Sequence, residues 1–219
     1  MSCIISGGMD SALSAKIAQK SGFEVIGVNF NYLQRTQTRE LQAFRDITTA
    51  LGIESIYEID LPFFKTIGAS ALTDSSIAVP TSGVEPGVPV TYVPFRNGIF
   101  LSIAASIAEK EGAQAIYIGV VEEDSSGYPD CRALYIQDMQ RAINSGTKVE
   151  TDITIEMPLV TLSKMEIVKE ALKLEVPLEL TWSCYQNEEQ ACGVCDSCRL
   201  RLRGFEMCGQ KDLIPYVQS

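Results

Sequence analysis

Residues 6–11 read Ser6-Gly7-Gly8-Met9-Asp10-Ser11, between a short apolar run and a helical stretch. Glycines let a backbone turn sharply and come close to a ligand. The helix start that follows offers free N–H groups and the positive end of a dipole, a ready anion site. Ser6 and Ser11 add hydroxyl donors, and the carboxylate of Asp10 is suited to Mg²⁺. Together these residues make a phosphate cradle. It is not a Walker A loop, because no Gly-Lys-Ser/Thr follows, and the G-x-G-x-x-G spacing of a dinucleotide fingerprint is missing.

A second cluster lies near the other end. Cys184, Cys192, Cys195 and Cys198 follow a C-x7-C-x2-C-x2-C spacing. Histidine is absent from the whole chain, which removes imidazole bases, His-containing triads and His metal ligands. Four thiolates with no His make a closed tetrahedral site, the preferred arrangement for structural Zn²⁺, with no open position for a reacting water. An iron–sulfur cluster is the competing reading of the same spacing. Of the remaining cysteines, Cys3 and Cys208 read as buried or incidental, and Cys131 as within reach of a substrate. Arg199, Arg201 and Arg203 follow the cluster, with Arg199 and Arg203 on a solvated helix face.

Short apolar runs alternate with helical patterns, so the elements that must position these groups are βα units. The fold expected is an open α/β parallel sheet with helices on both faces. Strands are predicted at Cys3–Ile5, Val25–Phe30, Ile56–Ile59, Ala115–Val121 and Ile153–Val160, the last interrupted by Pro158. Helices are predicted at Ser11–Lys20, Thr38–Leu51, Asn97–Glu111 and Arg132–Asn144. Ser163 and Glu166 form a capping box before a helix to about Leu174, and a short basic helix begins near Asp196. Between Leu72 and Pro94 the pattern stops in a proline- and glycine-rich loop, a candidate lid. Glu122–Asp130 is a polar loop beyond the fourth strand, where open α/β sheets place ligands. Residues 1–180 are read as the ligand-binding domain and 181–219 as a small metal-binding segment.

The Ser-Gly-Gly-Met-Asp-Ser loop resembles that of the PP-loop ATP pyrophosphatases. Further stretches are similar to the 7-cyano-7-deazaguanine synthase family: Gln34-Arg35 with Glu40-Leu41, Tyr92-Val93-Pro94-Phe95-Arg96-Asn97, and Ser126-Gly127-Tyr128-Pro129-Asp130-Cys131-Arg132. Leu162-Ser163-Lys164, Thr181-Trp182-Ser183-Cys184-Tyr185 and the Cys192–Cys198 stretch continue it, in order, over nearly the whole chain. Two positions depart from the family pattern: Phe95 stands where Gly is expected, and Thr36 where His is expected.

The resemblance implies an ATP-dependent ligase that converts 7-carboxy-7-deazaguanine and ammonia to a nitrile. ATP with Mg²⁺ would sit on Ser6, Gly7, Gly8, Met9, Asp10 and Ser11. Asp10, Ser11, Arg96 and Lys164 would carry catalysis, Arg96 as a bidentate donor and Lys164 as a phosphate contact. Tyr92, Phe95 and Tyr128 can stack on a base, and Arg96 and Asn97 would face the substrate. A carboxylate should accept the N–H groups of the deazaguanine edge, with Glu122, Glu123, Asp124 and Asp130 as candidates. A homodimer is implied by the same likeness.

The 219 residues carry 18 basic and 28 acidic side chains, a net charge of −10. That balance disfavours a nucleic-acid partner, and with it a tRNA-modifying sulfur transferase of the same loop class. No apolar run is long enough to span a bilayer. Met1 is followed by a short strand without a charged, apolar leader, so a cytoplasmic, reducing setting is expected.

Overall fold

The structure, a computed structural model, describes residues 1–83, 87–122 and 127–217. Five parallel strands form one sheet in the order β3-β2-β1-β4-β5. They are β1 (Ser2–Ile4), β2 (Ile26–Asn31), β3 (Ser55–Asp60), β4 (Ala115–Tyr117) and β5 (Thr154–Glu156). The helices are α1 (Met9–Lys20), α2 (Gln37–Ala50), α3 (Phe63–Ile67), α4 (Arg96–Glu111), α5 (Ala133–Gly146), α6 (Lys164–Lys173) and α7 (Asp196–Met207). The open α/β fold is the one the sequence pattern implies.

Side chains alternate across each strand and so feed two cores. Cys3 and Ile5 pack with Leu13, Phe44, Ile47 and Val168, beneath α1, α2 and α6. Ile4, Val28 and Ile116 face the opposite way, onto Leu101, Ala104 and Ile136 of α4 and α5. Trp182, Cys184, Cys195 and Phe205 belong to the first core, so the cysteine-bearing segment shares its interior with the sheet.

The connection from β1 runs to β2 on one side, and β4 adds on the other. The crevice beyond the carboxyl ends of β1 and β4 is therefore the sheet's switch point, where such folds bind ligands. Everything described below gathers there.

Candidate active site

Beyond β1 the chain turns at Gly7, whose φ of +87° is a left-handed conformation. A Cβ at Gly7 would lie 2.5 Å from the carbonyl oxygen of Glu40, so only glycine lets this turn close against α2. Ser6 N–H donates to Ser11 Oγ at 3.1 Å, and Ser11 Oγ–H donates to Gly8 C=O at 2.9 Å. The loop thus closes on itself ahead of the α1 amino terminus. It is held from outside as well, because Trp182 N–H donates to Gly7 C=O at 2.8 Å.

Lys164, first residue of α6, donates from Nζ to Asp10 Oδ2 at 2.6 Å. Its helix is started by Ser163, which accepts from Glu166 N–H while the Glu166 carboxylate accepts from Ser163 N–H, the predicted capping box. The other Asp10 oxygen, Oδ1, is buried without a partner. A carboxylate oxygen left open beside a helix amino terminus fits Mg²⁺ accompanying a polyphosphate.

Loop, lysine and a set of aromatic and charged side chains line one cavity of about 290 Å³. Ser6, Gly8, Met9, Asp10, Ser11, Arg96, Asn97, Tyr128 and Lys164, all singled out from sequence, border it; Gly7 supports it from behind. Arg96 Nη1 donates to the Tyr32 hydroxyl at 2.9 Å, and its guanidinium lies over the Tyr32 and Phe100 rings. Its Nε is buried without a partner. Burial opposes the Arg96 charge, but Tyr32 and Asp130 outweigh that and hold the group protonated. Burial pushes the Tyr32 phenol up to about 12 and also raises Tyr128 and Tyr185, so all three act as neutral hydroxyls.

Other sequence candidates do different work. The Asp130 carboxylate accepts from Asn97 N–H at 3.0 Å, and Asn97 Nδ2 donates to Asp130 C=O at 3.2 Å. This pair caps α4 just behind Arg96. Glu122 accepts from Ala133 N–H at 3.2 Å and borders a second cavity, which meets the first at Tyr128 and Cys131. The Tyr92 hydroxyl accepts from Phe95 N–H at 2.9 Å. Phe95, half exposed, meets Tyr135 edge-on at 5.9 Å, away from the cavity. Glu123 and Asp124 lie outside the described residues. Arg199 is not simply solvated: its Nη2 donates to Thr81 C=O at 2.6 Å, tying α7 to the proline-rich loop.

Several residues of the cavity are not site candidates from sequence, among them Tyr32, Tyr185 and Glu40. Glu40, which belongs to the Gln34–Leu41 stretch, matters most. It accepts from Thr36 Oγ1 at 2.6 Å and Gln34 Nε2 at 3.0 Å. Burial raises its pKa, and these two hydrogen bonds pull it part of the way back.

The cysteine sulfurs of residues 184, 192, 195 and 198 all lie within 4.8 Å of one another. Four Zn–S bonds of ~2.3 Å in a tetrahedron need sulfurs roughly 3.8 Å apart, so the set fits such an ion. Backbone N–H groups of Asn187 and Cys192 donate to Cys184 Sγ, both at 3.3 Å, and Cys195 N–H donates to Cys192 Sγ at 3.3 Å. Donors of this kind suit thiolates.

A parallel α/β sheet with a serine–glycine loop at its switch point, bonded to a four-cysteine segment, is the PP-loop class of architecture that the sequence implies. Within that class, the chain belongs to the QueC family: the family model described as Queuosine biosynthesis protein QueC matches residues 2–209. The 7-cyano-7-deazaguanine synthase of Aliarcobacter butzleri (strain RM4018) is 71% identical over 216 residues, covering 99% of this chain and 95% of that protein. The protein of the same name from Nautilia profundicola (strain ATCC BAA-1463 / DSM 18972 / AmH) is 67% identical over 99% of this chain and 97% of its own length. Among solved structures, a 4-thiouridine synthetase–RNA complex with bound ATP overlays with a TM-score of 0.48 and 21% identity, covering 95% of this chain and 50% of that one. No helix among the described residues is long and apolar enough to cross a membrane.

Proposed function

We propose that this chain is an ATP-dependent carbon–nitrogen ligase that converts 7-carboxy-7-deazaguanine and ammonia to 7-cyano-7-deazaguanine. The observation that carries the reading is the joining of the phosphate loop and the Arg96–Tyr128–Tyr185 wall in one cavity. An acid bound against that wall has its carboxylate within reach of a nucleotide on the loop. The names of the relatives support the same substrate class.

A carboxylate is a poor electrophile, and making it a nitrile removes two oxygens. Each must leave on a better carrier than hydroxide. The substrate carboxylate attacks the α-phosphate of ATP, forming an acyl adenylate and releasing pyrophosphate. Ammonia displaces AMP to give the primary amide, losing a proton. The amide oxygen then attacks the α-phosphate of a second ATP, releasing pyrophosphate, and loss of AMP with both N–H protons gives the nitrile. The loop N–H groups, Ser6, Ser11 and Lys164 hold the departing pyrophosphate as charge develops on it. Mg²⁺ bound at Asp10 would neutralise part of that charge. Nitrogen enters as free ammonia; the chain has no His to activate a glutaminase cysteine. The four cysteines hold one structural Zn²⁺.

Product chromatography tests the reading. It should give two AMP and two pyrophosphate per nitrile, and the synthetic amide should react with one ATP and no ammonia. ADP and phosphate as primary products would overturn it.

A further inference from the structure

We propose that Glu40 is the residue that recognises the pyrimidine edge of the deazaguanine ring, with Arg96 supplying the neighbouring donor. This rests on the substrate reading above. A guanine-type edge presents one acceptor, O6, and then two donors, N1–H and the 2-amino group. Its complement is a donor beside a fixed carboxylate.

Glu40 has that form. Each of its oxygens accepts one bond from the protein, Oε1 from Thr36 and Oε2 from Gln34, and each retains a second lone pair. The Gln34 support is itself fixed, its Oε1 accepting from Tyr32 N–H at 3.0 Å. Thr36 Oγ1, with a single proton to donate, lies closer to Glu40 Oε1, at 2.6 Å, than to the Cys184 carbonyl oxygen, at 3.2 Å. The carboxylate is therefore oriented rather than free to swing. Its charge, however, has no ion-pair partner among the described residues. Arg96 acts on it only at longer range. A recessed carboxylate whose protein bonds come only from neutral donors is satisfied best by further N–H groups brought in by a ligand.

Arg96 borders the same cavity, and its guanidinium, whose buried Nε has no partner among the described residues, is the donor group that O6 requires. Tyr128 and Tyr185 add aromatic walls for a planar ring. Of the described carboxylates proposed from sequence for this edge, Asp130 bonds the start of α4 and Glu122 the start of α5, and neither borders the cavity that Glu40 lines. The arrangement also works against adenine, whose N1 would set a lone pair against the carboxylate. ATP is thereby kept from binding in the substrate's place.

The test compares 7-carboxy-7-deazaguanine with its 2-deamino analogue, in the wild type and in Glu40→Gln. Wild type should prefer the amino-bearing acid by about 10- to 100-fold in kcat/KM, the range for a hydrogen bond to a charged group. In Glu40→Gln that preference should collapse, while the KM for ATP stays within about twofold. Equal use of both acids by the wild type overturns the proposal without recourse to any variant, so a misfolded Glu40→Gln would not shelter it. A preference undiminished in Glu40→Gln, or a loss confined to ATP affinity, overturns it too. No nitrile at all from wild type and the true acid would instead sink the substrate reading on which it rests.

Discussion

Phe95 holds a left-handed backbone, φ 54°, immediately before α4. A side chain there costs roughly 1–2 kcal/mol, which accords with the glycine expected at this place from sequence. The ring recovers part of that cost against Gly98 and Tyr135. Phe95→Gly should therefore leave stability within about 1 kcal/mol, since relief of strain offsets the lost half-buried ring. Gly98→Ala is the harmful neighbour change, because its Cβ would fall 2.4 Å from the Phe95 ring. Denaturant melts of both variants check the pair. In the loop, Asp10→Ala should retain the fold and abolish ATP turnover, measured as pyrophosphate release. Gly7→Ala should damage both, since its methyl meets the backbone of α2. The loop was legible in sequence because its chemistry is contiguous. Glu40 was not, because its meaning comes from Arg96 and Tyr128, brought to it from more than fifty residues away.

Helix α6 shows how an element carries chemistry to the loop. Its cap was readable from Ser163 and Glu166, and the cap sets the first residue, Lys164, against Asp10. Ser163→Ala should cost about 1 kcal/mol of stability, and it should raise the KM for ATP through a looser Lys164. The Glu166 carboxyl is held below its usual range by the Ser163 N–H and then its hydroxyl. Such a group stabilises the fold above the ordinary Glu value, near ~4.3, and that contribution is lost as pH falls through the lower folded value. Amide exchange at 163–167 should accordingly quicken in acid before that of α1 does. Element types were legible where apolar periodicity was long. Helix α3, five residues, is too short to show a period. The fourth and fifth strands are shorter than their apolar runs. Gly119 already lies against the Asp10 backbone, where a Cβ would be 2.8 Å away, and Pro158 lacks the N–H to extend a ladder.

At the scale of the molecule, the C-terminal segment is fastened by Arg201, which is 1% exposed. It pairs with Asp212 at 2.6 Å and donates to Thr181 Oγ1 and Leu178 C=O. Arg201→Met should cost about 3–5 kcal/mol, because Asp212 would be left charged and buried. No local pattern marked this arginine, whose partners lie in two separate stretches, 178–183 and Asp212. The cysteines, in contrast, announced themselves by spacing. Elemental analysis should find one zinc per chain. Cys192→Ser should lower metal content and melting temperature together, while Cys208→Ser, which lies outside the four-cysteine set and whose thiol donates to Met165 C=O, should change neither.

The hydrogen bond from Trp182 to Gly7 joins the segment of the four-cysteine knot, a set of thiols free of disulfides, to the backbone that would grip pyrophosphate. Trp182 stands two residues before Cys184, so ordering the knot also orders one wall of the loop. Coupling between two binding events is reciprocal. A chelator that strips the knot should weaken nucleotide binding in proportion, and bound nucleotide should slow the escape of metal to that chelator. The knot then serves as a gauge of ligand occupancy, readable by metal release in the absence of any turnover.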